Sequence, residues 1–324
     1  MEDVHSDKPQ NTLPFDNLYL NTALVNGSNK GWMYLFTILL LVLGYLSFQL
    51  ILLYPLLNIL KQNGITEIEI AENPSLLFDY VALKIDRNIL FALELGMFVF
   101  ACIGFFIGLK YIHHKTFTSV LTGFQKFRAK RFWFAFTIWS SLLILTFVIE
   151  YAINPEDFEL TFNFFGLLIS IGIMLVLMPL QTGIEEIIFR GYLIQGLALF
   201  FRNGIIPLFL TSLLFGLAHM SNPEVKKYGW EIMFTYYFIF ALFMGAVSLL
   251  DEGLELALGI HFANNMISSI LVSTPHSVVK TYSLFETQSE NVISEILLWL
   301  VMASICFMVF KFKYRWTNFK LIVK

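Results

Sequence analysis

The stretch Phe162–Phe201, FNFFGLLISIGIMLVLMPLQTGIEEIIFRGYLIQGLALFF, decides the fold. It lacks the alternation of a half-buried strand, and as a helix at 1.5 Å per residue it would reach about 60 Å, roughly twice the thickness of a bilayer's hydrocarbon core. Its charged residues are Glu185, Glu186 and Arg190. Pro179 and Gly183 offer a break, so the stretch reads as one tilted helix with an extramembrane end, a kinked helix, or a spanning helix followed by a second one.

The rest of the chain calls for the same solvent. Of its 324 residues 57% are apolar and 14% charged, with 35 Phe, 13 Tyr and 6 Trp, and the mean hydropathy is +0.70. A soluble domain is about one quarter charged, so lipid is the medium for much of this sequence. Disorder, coiled coil and a disulfide-stapled secreted fold fit poorly. A net charge of −3 lacks the basic surface of a nucleic-acid reader. The two cysteines, Cys102 and Cys306, lie in separate apolar runs and form neither a CxxC metal motif nor a disulfide framework.

Working outward, further apolar segments cover about Trp32–Leu57, Asn88–Leu109, Phe132–Ala152, Gly204–His219, Trp230–Leu250, Leu254–Val272 and Ile293–Phe310, beside Phe162–Leu180. The fold class is therefore all-α, a polytopic transmembrane helical bundle of about eight helices, with nine if the long run breaks. These runs are about twice the length of a barrel strand and lack its dyad pattern. The polar segment 1–31 lacks the basic n-region of a signal peptide, so the first apolar helix is expected to be retained. The bundle then occupies 32–310, and 311–324 is a basic tail. Lys115, Lys126, Arg128, Lys130 and Arg131 place the loop after the second helix in the cytoplasm. An even count puts both termini there, as the five basic residues of the tail favour. A bacterial inner membrane is the expected location.

Three polar clusters stand out in the second half: Gly183–Gly191 with Glu185, Glu186 and Arg190; Phe215–His219; and His261–Asn265. Intramembrane ionisable groups are costly and mark functional sites by default. Glu186 and Arg190 are i,i+4 neighbours, as are His261 and Asn265, so each pair shares a helix face. Glu186 with Arg190 reads first as a structural clamp. His219, beside Ser221-Asn222-Pro223, could merely close a helix, and Asn264 points off the His261 face toward packing or solvation.

Spacing predicts where the clusters meet. Glu185 lies 17 residues before Arg202 and His219 lies 17 after it, so antiparallel arms put both about 25 Å from the turn. The next reversal, Asp251-Glu252-Gly253, is on the same side; His261 then rises about 12 Å and Asn265 about 18 Å. One pocket can hold all four. Together they supply a general base, a group to orient water and donors for an oxyanion. Glu185, His219 and His261 could equally hold a divalent metal such as Zn²⁺. With no HExxH and no GxSxG, and no cysteine in the clusters, other hydrolase schemes are weak.

Glu185-Glu186-x-x-x-Arg190, Phe215-x-x-x-His219 and His261-x-x-x-Asn265, in that order on apolar helices, resemble the three signature motifs of the CPBP family of intramembrane proteases. That family, also called the Abi or CAAX amino-terminal protease family, includes the type II CAAX prenyl endopeptidases. The resembling core is about 162–272. The resemblance implies that Glu185 and His219 activate water, that His261 and Asn265 stabilise the oxyanion, and that Glu186 and Arg190 support the site. It also implies a peptide or a lipidated protein C-terminus as substrate. Glutamate-dependent hydrolysis without a catalytic ion is the preferred form, and a metal-dependent one the alternative. Two other classes remain: a transporter using the same groups as an ion relay, and a silent scaffold or bacteriocin-immunity protein.

Overall fold

The computed structural model describes residues 14–25, 27–274, 280–287 and 291–323, so the start of the chain, with His5, and also His276 lie outside the described residues. The architecture is carried by α1 (Leu18–Val25), α2 (Gly31–Gln62), α3 (Arg87–Ile112), α4 (Ala129–Ile153), α5 (Phe164–Phe201), α6 (Ile205–Ala218), α7 (Trp230–Leu250), α8 (Glu255–Leu271) and α9 (Val292–Tyr314). Among the described residues, six of these, α2, α3, α4, α5, α7 and α9, are long and apolar enough to cross a membrane. The other two expected segments are also helical but short, 14 residues in α6 and 17 in α8, against about 20 for a full crossing.

The long run does not break at Pro179 or Gly183. It continues as one helix of 38 residues, about 57 Å by its rise. Asn163 caps its start by accepting from Gly166 N at 2.9 Å, and Arg202 ends it in the left-handed region at φ 54°. The irregularity falls later: Ile187–Leu193 is π-helical, directly after Glu185 and Glu186. Such stretches free backbone carbonyls and recur at functional sites.

Without a hydrophobic force between helices in lipid, close packing holds the bundle together. α8 lies against α4 at Gly259, where a Cβ would stand 2.3 Å from Phe132 O, so a larger residue would push His261 away from its neighbours. Trp139, Phe240, Met244, Ile260 and Trp299 form the core around this contact. The outward faces of the long helices present apolar side chains such as Leu50, Phe165 and Val176 to the lipid.

The two ends differ. At the basic end, Arg128 bonds Glu255 and the Asp251 carbonyl, and Arg131 pairs with Asp251. Asn17 Nδ2 donates to both Leu249 O and Leu321 O, each at 2.9 Å, so α1 and the C-terminal tail meet at this end. At the opposite end, three short strands that the all-α expectation did not contain form a small sheet: β1 (Phe158–Leu160), β2 (Val272–Ser273) and β3 (Phe285–Thr287). Their order is β1-β3-β2, with β1 antiparallel and β2 parallel to β3. Arg87 Nη1 bonds Glu286 Oε1 at 2.8 Å and ties this sheet to the start of α3.

Candidate active site

The three polar clusters converge between α5, α6 and α8. On α5, Glu186 is buried, and its Oε1 receives Arg190 Nη1 at 3.0 Å from one turn along. The same oxygen accepts from His261 Nδ1 at 2.7 Å. An ionised carboxylate only accepts, so this bond puts the Nδ1 proton in place and leaves Nε2 as the free atom of the ring. His261 Nε2 then stands 3.6 Å from Glu185 Oε2. The Arg190 guanidinium lies 4.1 Å over the Phe215 ring, which covers the buried charge from the α6 side.

Glu185 keeps 15% of its side chain exposed, whereas Glu186 keeps none. Adjacent carboxylates therefore have different environments: one is locked between Arg190 and His261, the other reaches accessible space. Gln181 Nε2 donates to Glu185 Oε1 at 2.7 Å from one turn earlier, and Asn265 Nδ2 donates to Gln181 Oε1 at 3.2 Å.

His219 caps α6. Its Nδ1 lies 2.7 Å from Phe215 O, and because a carbonyl only accepts, Nδ1 carries the proton and Nε2 becomes an acceptor. The ring sits between Phe215, at 4.2 Å, and Tyr237, at 4.6 Å. Glu185 acts electrostatically on His219, but among the described residues the two share no direct hydrogen bond. The direct partners of Glu185 are Gln181 and His261.

Of the expected site residues, Glu185, Glu186, Arg190, His261 and Asn265 are linked by hydrogen bonds or close approach, and His219 stacks on the Phe215 ring that also covers Arg190. Gln181 was missed, although its signal was present as an amide one helical turn before Glu185 in an otherwise apolar run. Asn264, expected as packing or solvation, accepts from Trp139 Nε1 at 3.2 Å and donates to Asn265 Oδ1 at 3.3 Å. His113, just past the end of α3, is buried and bonds Ser28 O at 2.7 Å and Tyr192 OH at 2.6 Å. Among the described residues no three His, Cys, Asp or Glu side chains are arranged to hold a metal ion.

Comparison with known proteins finds similarity in this region. Residues 164–267, about a third of the chain, match the family described as Rce1-like, type II CAAX prenyl endopeptidase Rce1-like. The curated relative "Uncharacterized protein YyaK" of Bacillus subtilis (strain 168) is 28% identical over 259 residues, covering 78% of this chain and 82% of that protein. No solved structure gives a significant match.

Proposed function

We propose, from the match of residues 164–267 to the Rce1-like CAAX protease family, that the chain is an intramembrane endopeptidase that cleaves peptide bonds with water activated by Glu185 and His219. The observation that carries the reading is the shared Glu186 oxygen, which anchors Arg190 and turns His261 Nε2 toward Glu185.

Each side chain has a task that follows from its bonds. A water between Glu185 and His219 would donate one proton to the carboxylate and the other to His219 Nε2, leaving an oxygen lone pair for the peptide carbonyl. Glu185 takes a proton as the hydroxide adds, and the carbonyl oxygen becomes negatively charged. An N–H of Asn265 donates to that oxyanion, and His261, as an imidazolium that carries a second proton on Nε2 while Nδ1–H stays on Glu186, adds another donor. Collapse breaks the C–N bond, and the proton held by Glu185 passes to the leaving amine. Glu186 and Arg190 keep the His261 ring in register throughout.

A lipidated C-terminus is the substrate class this reading favours. An apolar cavity of about 270 Å³ lies against the same stretches of α5 and α8, lined by Phe132, Pro179, Thr182, Gly183, Ile187 and Phe262. It offers an aliphatic chain a place beside the site. The meeting of α1 and the C-terminal tail at the basic end supports an even count of crossings, eight with α6 and α8 as partial ones, and cytoplasmic termini.

The test is cleavage of a panel of farnesylated and unmodified peptides by the purified protein, with Glu185→Gln and His219→Ala compared at equal folded yield. Product from wild type alone, at one defined bond, supports the reading. Equal product from all three proteins removes it.

A further inference from the structure

Four hydrogen bonds run in a line from the bundle core to Glu185. Trp139, on α4 and fully buried, donates Nε1–H to Asn264 Oδ1 at 3.2 Å. Asn264 Nδ2 donates to Asn265 Oδ1 at 3.3 Å, Asn265 Nδ2 to Gln181 Oε1 at 3.2 Å, and Gln181 Nε2 to Glu185 Oε1 at 2.7 Å. The line joins α4, α8 and α5.

We propose that Trp139, Asn264, Asn265 and Gln181 form a relay of fixed polarity that holds the Glu185 carboxylate in its working position, with Trp139 and Gln181 as positioning residues. The proposal rests on the reading of Glu185 as the base.

The two ends determine the direction. An amide can turn either way, since its oxygen and nitrogen are alike in shape. An indole N–H can only donate, however, so Asn264 must offer Trp139 its oxygen, and its nitrogen is left to face Asn265. The same logic passes to Asn265 and then to Gln181, whose nitrogen arrives at the carboxylate. An ionised carboxylate can only accept, so the far end agrees with the near one. Turning any one amide would set donor against donor or oxygen against oxygen. The last link is the shortest, as a charge-assisted bond should be. Each amide nitrogen carries two protons, so Asn265 gives one to Gln181 and keeps one for an oxyanion.

The relay is tested on the full chain in detergent micelles with ¹⁵N-indole labelling, the Trp139 resonance being assigned by its loss in Trp139→Phe. Glu185→Gln is expected to move that resonance across the whole line, and the movement is expected to vanish in a Gln181→Met background. Gln181→Glu, which still accepts from Asn265 but cannot donate to an ionised Glu185, should abolish it likewise. A resonance indifferent to Glu185→Gln, or one that moves equally without Gln181, overturns the relay. In peptide cleavage, Gln181→Met should lower kcat at least about tenfold with KM unchanged, and Trp139→Phe should lower kcat less. A loss that appears in KM instead would overturn the positioning role. Cleavage that survives Glu185→Gln would remove the base and with it the relay's purpose. That failure is distinguishable, because the indole response needs no substrate.

Discussion

His261 donates Nδ1–H to Glu186 Oε1 over 2.7 Å, and the same oxygen holds Arg190 Nη1 at 3.0 Å. One carboxylate oxygen thereby compensates a buried cation and holds the Nδ1–H of a histidine on another helix. Because both tasks fall on Glu186, stability and chemistry are coupled at this position, unlike at Glu185.

Glu186→Gln leaves the Arg190 guanidinium buried without its counter-charge. Breaking one side of a buried pair costs about 3–5 kcal/mol, so the midpoint of thermal unfolding in micelles should fall sharply. The double variant Glu186→Gln/Arg190→Met should lose less than the sum of the single losses. Additivity within about 0.5 kcal/mol would show that the pair is not coupled.

Glu185→Gln should behave in the opposite way. The residue keeps partial exposure and its amide substitute can still accept from Gln181, so the unfolding midpoint should shift little. Cleavage should fall by about 10²–10⁴, the usual contribution of a general base. A drop in stability comparable to that of Glu186→Gln would assign Glu185 to the framework.

Tyr19 reaches from α1 to donate its hydroxyl to Val120 O at 2.7 Å, with Arg190 O at 3.3 Å, within the π-helical stretch. Tyr19→Phe leaves these buried carbonyls short of a donor, at a cost of about 1–3 kcal/mol. The measurement is thermal unfolding together with hydrogen exchange of Ile187–Leu193, which should accelerate. Unchanged exchange there would mean that α1 does not brace α5.

Stability should also depend on pH through the basic end. Burial lifts the Asp251 carboxyl to about 7, against the pull of Arg128 and Arg131 in the other direction. Its unfolded value is near 3.9. The folded chain therefore holds a proton that the unfolded chain has released between those values, and this group's contribution is full below about pH 4 and lost as pH rises through about 7. Glu252, also raised by burial, acts in the same sense. The unfolding midpoint of wild type should decline from pH 5 to pH 8, and Asp251→Asn should flatten that decline. An identical slope in both proteins would remove Asp251 as its source.

Much of the bundle was legible because lipid leaves so few ways to satisfy a backbone. A run such as Trp32–Leu57 has no alternative to a helix, and the structure places one at Gly31–Gln62. The sheet was not legible: Phe158–Leu160 and Phe285–Thr287 are three residues each and pair across more than a hundred positions of sequence. Pro179 left three readings open, and the structure selects the continuous one, since neighbouring helices can accommodate a proline within α5. At the site, the i,i+4 spacing of Glu186 and Arg190 was a local fact of the helix and survived intact. Gln181 looked like a chance amide because its second partner, Asn265, lies 84 residues away.

The sequence by itself determined the solvent, the all-α class and the chemical inventory of the site, because each follows from composition and from helical period within single segments. Tertiary structure alone decided which atoms meet. That His261 gives its Nδ1 to Glu186 and its Nε2 to Glu185, and that an indole on α4 governs the orientation of an amide on α5, depends on how closely α8 can approach α4. The glycine at 259 permits that approach, and its effect is felt only when the two helices are brought together.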